Sequence, residues 1–305
     1  MLAVDGGQST IRVRHSDSLA AVEIEGVSRL EGDTVGSVAS AVIGGWRAAG
    51  APAVDRAVLG LTTAPSDDPA RRRLCADVAT GTGAHEVWLA DDAVTAHAGA
   101  LPRDWGVSVT AGTGVACVAM PHHGDPRIVG GHGYLLGDEG GAYWIGREGI
   151  RAVLRAADGR GQPTALVEPA RRRFENLDGL GERLHSVARP VDAIAHFAPD
   201  VLEAAEAGDP VAMTIADEAT DELVTLAGAA VSVIVADGDL VPVALGGRLL
   251  DSGPLRRRLD RAMARSLPAT APRSADGTPL DGALHLGGAD DPGRYRDLVY
   301  VWQAA

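Results

Sequence analysis

Two glycine-rich turns and one acidic pair carry residue types that could move a phosphoryl group. The first turn is Val4-Asp5-Gly6-Gly7-Gln8-Ser9-Thr10, and the second is Val109-Thr110-Ala111-Gly112-Thr113-Gly114. Consecutive glycines let backbone N–H groups point into one concavity, which suits an anion. Ser9 and Thr10 add hydroxyl donors. Asp5, at a strand end, is placed to hold Mg²⁺, which favours a few carboxylates plus phosphate oxygens. Between the turns, Asp91-Asp92 closes an apolar run. One of the pair is expected to cap a following helix. The other can orient and deprotonate a hydroxyl that attacks a phosphate. Each feature also has a plain reading: Asp-Gly and Gly-Gly are common hairpin residues, and an aspartate before a helix is a common cap.

The longest glycine-and-acid stretch runs from Gly130 to Gly141 and includes Gly131, His132, Asp138 and Glu139. His132 and Asp138 could hydrogen-bond sugar hydroxyls; the alternative is a surface loop. His122 and His123 read as surface residues, and no His/Cys/carboxylate cluster has metal-ligand spacing.

Bulk composition narrows the chemistry. None of the 28 basic residues is lysine, which excludes a lysine-dependent P-loop and a lysine Schiff base. A net charge of −13 argues against nucleic acid as a partner. The arginine triplets at 71–73, 171–173 and 256–258 read as solvated helix faces. Two cysteines, Cys75 and Cys117, are too few for a disulfide framework or an iron–sulfur cluster. No apolar run approaches the ~20 residues of a membrane span, and the N-terminus has no signal-peptide pattern, so a cytoplasmic protein is expected.

These residues need a scaffold. At 305 residues, two domains are expected. Residues 1–14 read as a hairpin around Gly6-Gly7, followed by a strand at 20–24. Helical spacing covers 34–49 and ends at Gly50. Strands are predicted at 57–61 and 86–90, with helices at 69–80 and 93–100. Strand, glycine turn and strand recur over 106–120, a weak internal repeat. Residues 143–236 read as mostly helical, 241–245 as a buried strand, and a helix follows through Ala264. Residues 268–279 read as loop, and 280–305 show only a short helical piece. Alternating strands and helices imply an α/β architecture.

With these motifs in order, the chain resembles the N-acetylglucosamine kinase branch of the sugar kinase/Hsp70/actin superfamily, within the family that also holds the BadF/BadG/BcrA/BcrD ATPases. Asp-Gly-Gly-x-x-Thr at 5–10 resembles its first phosphate motif, and Ala-Gly-Thr-Gly at 111–114 its second. Gly-Gly-His-Gly-x-x-x-Gly-Asp-Glu-Gly-x-Ala-Tyr-Trp-Ile at 130–145 resembles its sugar-proximal signature. Ala207-Gly208-Asp209-Pro210 and Leu245-Gly246-Gly247 resemble the helical subdomain and adenosine motif.

The resemblance implies a two-lobed actin-like (ribonuclease H-like) ATPase fold, with duplicated domains and a helical insertion in the C-terminal lobe. Lobes of 1–104 and 105–305 are implied, with the terminal segment packing back on the first. The implied activity is ATP-dependent phosphorylation of an amino sugar, at the 6-hydroxyl of N-acetylglucosamine, in a cleft that closes on substrate. Asp92 would be the base, and Thr113, Gly131, His132 and Asp138 would line the sugar pocket. Gly6, Gly7, Gln8, Ser9, Thr10, Gly112 and Thr113 would hold phosphates, Gly246 and Gly247 the adenosine, and Asp5 the Mg²⁺. A homodimer is implied, with no nucleic-acid or membrane partner. Two departures bear on the sugar: residues 26–31 hold no asparagine where relatives place a sugar ligand, and His132 replaces an aromatic. Glucosamine or N-acetylmuramic acid therefore stands beside N-acetylglucosamine as substrate. The remaining alternatives are a BadF-type ATPase and a catalytically silent sugar sensor.

Overall fold

The computed structural model describes residues 1–305 except 8–9, 28–32, 63, 103–104, 235–238, 252 and 305. The chain divides into two compact units. Unit 1 comprises Met1–Ser108, Val118–Ile128 and Ala275–Ala305; unit 2 comprises Val109–Cys117 and Val129–Ser274.

Three parallel strands form the middle of unit 1: β1 (Leu2–Gly6), β4 (Arg56–Leu61) and β5 (Glu86–Ala90). The sheet extends on one side through antiparallel β2 (Thr10–His15) and β3 (Val22–Glu25). On the other side it ends in antiparallel β11 (Val299–Gln303). Its order is β11-β5-β4-β1-β2-β3.

The central strands are mostly apolar because both faces are covered, with charged residues only near their ends: Asp5, Arg56 and Glu86. Leu2 and Val4 pack with residues of α1 (Thr34–Ala48) and α2 (Asp68–Thr82), while the alternating Ala3 packs with residues of α3 (Asp92–Ala100) and α11 (Pro279–Gly287). Small residues bring α3 close on both sides. A Cβ on Gly60 would stand 2.1 Å from Thr95 Oγ1, and one on Gly282 would stand 1.9 Å from the Thr95 carbonyl oxygen. Only glycine at these two positions admits the helix.

The second sheet has the order β10-β9-β6-β7-β8, from β6 (Gly106–Ala111), β7 (Val115–Met120), β8 (Arg127–Gly130), β9 (Val241–Gly246) and β10 (Thr270–Ser274). The helices of unit 2 include α4 (Ala142–Ala157), α5 (Val167–Phe174), α6 (Leu180–Ser186), α7 (Pro190–Ala195), α8 (Ala198–Glu206), α9 (Pro210–Ser232) and α10 (Pro254–Ser266). Asp209 caps α9 through the Ala212 N–H and also accepts from Thr164 Oγ1 and the Ala165 N–H. The Gly208-Asp209-Pro210 motif therefore has a structural job, fixing where that helix begins.

Three strands depart from the sequence expectation. β10 lies inside the stretch read as loop; Pro272 masks it, yet proline is admitted because β10 is an edge strand. β11 lies in the terminal stretch where only a helical piece is expected. β8 is four residues long and half exposed, too short to register as a period. The arginine triplets lie on helices as expected, though Arg258 is largely covered and pairs with Asp217.

Candidate functional site

In unit 1, register places the first chemical residues side by side. Asp5 is opposite Gly60, and Gly60 is opposite Ala90, across β1, β4 and β5. All three strands run the same way, so their carboxyl ends deliver the Gly6-Gly7 turn, Thr62 and Asp91-Asp92 to one edge of the sheet. Carboxyl ends of parallel strands are where α/β proteins bind ligands.

The first turn closes with the Gly7 N–H donating to the Thr10 carbonyl at 2.9 Å. Gly6 is buried, and a Cβ there would stand 2.3 Å from Leu61 Cδ2. At Gly7, the Thr10 carbonyl oxygen is the atom near a Cβ position among the described residues, at 3.4 Å. Gln8 and Ser9 lie outside the described residues. Asp5 is largely buried (14% exposed side chain) and receives Arg12 Nη1 at 3.4 Å; Arg12 in turn donates through Nε to Glu23 at 2.7 Å. Burial raises the Asp5 pKa, and the Arg12 guanidinium opposes that rise.

The acidic pair divides its labour. Asp91 caps α3, its carboxylate accepting the Ala93 N–H at 3.0 Å. Asp92 is thereby left with its carboxylate off the helix terminus, accepting the Thr62 hydroxyl. Loss of hydration pushes its pKa up to about 8, the negative charge of Asp91 adding to the rise, with a smaller contribution from Asp5. The Thr62 hydrogen bond acts in the opposite direction. A carboxyl so placed is a stronger proton acceptor than a solvated one.

In unit 2, the second turn is assembled from three stretches of chain. The Gly112 N–H donates to the Gly114 carbonyl at 2.9 Å, closing the turn. The first N–H groups of α4 brace it: Ala142 donates to the Gly112 carbonyl at 2.9 Å and Tyr143 to the Thr113 carbonyl at 3.0 Å. Among the described residues, nothing lies within 4 Å of a Cβ position at Gly112.

Asp138 braces the same turn through its side chain. Its carboxylate accepts the Val115 N–H at 3.2 Å and fills the place where a Gly114 side chain would stand, 2.4 Å away. Burial raises its pKa. Asp138 has a left-handed backbone (φ 61°), as do Gly130, Gly131, Gly133 and Gly140, which explains the glycine density of the loop. Gly131 and His132 are exposed. The structure brings Asp138 and Thr113 to one turn.

Gly246 ends β9, and Gly247 turns away with φ 87°; a Cβ on Gly247 would stand 2.4 Å from the Ala111 carbonyl oxygen. The Leu249 N–H donates to that same carbonyl at 3.1 Å. The predicted phosphate and adenosine motifs of unit 2 are thus in backbone contact.

Thr62 and Arg12 are not among the sequence candidates. A threonine at a strand's carboxyl end is the available signal for Thr62, and β-register opposite Asp5 for Arg12.

The sequence profile of the BadF/BadG/BcrA/BcrD ATPase family matches residues 4–287. The chain belongs to this family. A curated member of similar sequence, the N-acetylmuramic acid/N-acetylglucosamine kinase of Clostridium acetobutylicum, is 29% identical over 170 residues, covering 55% of each chain. The chain thus spans about half the length of that relative. A solved structure from Chromobacterium violaceum, described as a candidate N-acetylglucosamine kinase, is 28% identical with a TM-score of 0.70, covering 93% of this chain and 97% of that one. A second, from Porphyromonas gingivalis and described likewise, is 18% identical with a TM-score of 0.74, covering 94% and 99%. As a BadF/BadG/BcrA/BcrD ATPase family member, the protein has the actin-like ATPase fold shared with sugar kinases. No described helix is long and apolar enough to cross a membrane.

Proposed function

We propose that the protein is an ATP-dependent kinase that phosphorylates a hydroxyl of an amino sugar, the 6-hydroxyl of N-acetylglucosamine being the leading acceptor. The observation that carries this reading is Asp92: a desolvated carboxyl, freed from capping by Asp91 and held by Thr62 at the strand ends beside a glycine phosphate turn. A structural acid gains nothing from such an environment, whereas a base that must take a proton from an alcohol does. The family's ATPase character and the amino-sugar kinases among its relatives support the same reading.

In this mechanism, Asp92 accepts the proton of the attacking hydroxyl as the phosphoryl group transfers. Phosphoryl transfer asks chiefly for positioning and charge neutralisation. The turns at Gly6-Gly7-Gln8-Ser9-Thr10 and Gly112-Thr113 would hold the phosphates, the Gly7 and Gly112 N–H groups closing the turns and the Thr10 hydroxyl adding a donor. Gly246 and Gly247 would lie along the adenosine. Thr113, Gly131, His132 and Asp138 would meet the sugar, Asp138 also holding the second turn in shape. The segment where relatives place a sugar-binding asparagine falls largely on residues 28–32, outside the described residues.

The chain fits a metal that arrives with the nucleotide. Among the described residues there is no cluster of three or more His, Cys, Asp or Glu able to cage an ion. Asp5 is a single buried carboxylate at the first turn, the donor set that Mg²⁺ uses when phosphate oxygens and water complete its shell. Bound there, Mg²⁺ would neutralise phosphate charge.

The test is ADP release from Mg-ATP with N-acetylglucosamine, glucosamine, N-acetylmannosamine, N-acetylmuramic acid and glucose. Stimulation by an amino sugar is expected. Hydrolysis indifferent to every sugar would replace the kinase reading with an ATPase.

A further inference from the structure

We infer that Thr62 is a positioning residue for the base, a single side chain and backbone that tie the first phosphate turn to Asp92. Two hydrogen bonds from one residue carry the argument. The Thr62 N–H donates to the Gly6 carbonyl at 2.9 Å, continuing the β1–β4 pairing by one step into the turn. The Thr62 hydroxyl donates to Asp92 Oδ2. Donation to a carboxylate occupies one lone pair of Oδ2, so the free lone pairs of Asp92 are aimed by Thr62. Any displacement of the phosphate turn is passed to the carboxylate through the same residue.

The alternative job for a threonine at this place would be packing, and the contacts argue against it. Thr62 follows the fully buried Leu61 and is itself partly exposed. The space over Gly60, on the strand that leads into Thr62, is filled by Thr95 of α3. Thr95 also uses its hydroxyl differently, donating to the Asp92 carbonyl at 3.0 Å, which steadies the backbone but not the carboxylate. The charged groups facing the Asp92 carboxyl are Asp91 on α3 and Asp5 on β1, with Arg12 on β2 neutralising Asp5. Both neighbours of like charge oppose ionisation. Among the interactions of Asp92, the Thr62 hydroxyl is the donor that favours the ionised form.

The role of Thr62 in turnover rests on the kinase reading above, and the experiment separates the two. Wild type, Thr62→Val, Thr62→Ser and Asp92→Asn are compared in steady-state sugar phosphorylation across pH. The carboxyl carbons of aspartate are also titrated by ¹³C NMR, the Asp92 signal being identified by its loss in Asp92→Asn. Thr62→Val is expected to lower kcat about ten- to a hundredfold, the size of one hydrogen bond to a charged group. KM for ATP should change little, and the rising limb of the pH profile should move to higher pH. Thr62→Ser should restore kcat and the limb. In the titration, Asp92 should move to higher pH in Thr62→Val and return in Thr62→Ser.

If Thr62→Val folds with the wild-type melting temperature and leaves the Asp92 titration unmoved, the assignment is overturned. It is overturned equally if Thr62→Ser fails to rescue either readout, since that would make the methyl group the relevant part. A wild type that phosphorylates no sugar would defeat the kinase reading alone, because the NMR titration still decides whether Thr62 governs Asp92.

Discussion

Gly247 sits so close to Ala111 that a Cβ would stand 2.4 Å from the Ala111 carbonyl oxygen and 2.9 Å from its nitrogen. This contact joins the end of β9 to the strand that enters the second glycine turn. Gly247 also has φ 87°, where any side chain is strained. Gly247→Ala should therefore cost about 1–3 kcal/mol from backbone strain, with the steric clash adding to it. The lowered melting temperature should come with a raised KM for ATP, because the turn it supports carries Gly112 and Thr113. A normal KM for ATP with lowered stability would make Gly247 purely structural.

Asp92→Asn separates activity from stability. The amide oxygen can still accept the Thr62 hydroxyl, so the geometry is kept while the proposed base is removed. Turnover should fall about 10²- to 10⁴-fold, with ATP binding close to normal. Stability should move the other way. The folded-state pKa of Asp92 is raised from 3.8 to about 8, so the neutral carboxyl favours the fold and ionisation weakens it. That contribution is complete below the ordinary carboxylate value and is lost as pH rises through the raised one. Asn cannot ionise, so the variant should melt with wild type in acid and progressively above it across this window. Melting temperatures measured from acid to mildly alkaline pH decide the matter; a constant offset would show that Asp92 is not the group under strain.

How much of this is legible in the sequence follows from the range of each interaction. The Gly6-Gly7 and Gly112–Gly114 turns are readable because turn chemistry is local to a few residues. For Asp91-Asp92, the helix start is readable, but which aspartate caps it is not. That choice depends on the Asp91 side chain turning to the Ala93 N–H while Asp92 meets Thr62, thirty positions earlier in the chain. Asp138 is readable as a polar loop residue, yet its support of Gly114 and Val115 is a contact between distant segments. β11 pairs with β5, about two hundred residues earlier, and no local pattern announces such a partner. Local chemistry is written in neighbouring residues; division of roles is written in register.

Arg12 and Asp5 face one another across β1 and β2, and their ion pair sets how readily Asp5 ionises. Burial raises the Asp5 pKa and Arg12 restrains it. Replacing Arg12 by Gln removes the opposing charge and keeps much of the side chain's length. Activity in Arg12→Gln should then fall more steeply than wild type as pH is lowered, because Asp5 protonates more easily. The Mg²⁺ concentration for half-maximal activity should rise in acid and approach wild type at higher pH. Asp5→Ala should raise the Mg²⁺ requirement at every pH. A Mg²⁺ titration that is unchanged in Asp5→Ala would remove Asp5 from the metal site.

The helix that carries Asp92 is also fixed at its far end. His97 on α3 is fully buried, and its Nδ1 lies 2.8 Å from the Tyr295 hydroxyl. Burial pushes the His97 pKa down to about 4, so the imidazole is neutral at ordinary pH. With a depressed folded-state value, the stability His97 contributes is complete above its ordinary value of 6.5 and is lost as pH falls toward about 4. Tyr295→Phe deletes the partner hydroxyl while keeping the ring, and should cost about 1–3 kcal/mol for a buried nitrogen left without it. The loss should be seen in urea unfolding of the whole chain at neutral pH. If α3 is held in register by this bond, the same variant should also lower kcat without raising KM for ATP. An unchanged kcat beside the loss of stability would place the control of Asp92 entirely at the Thr62 end of the helix.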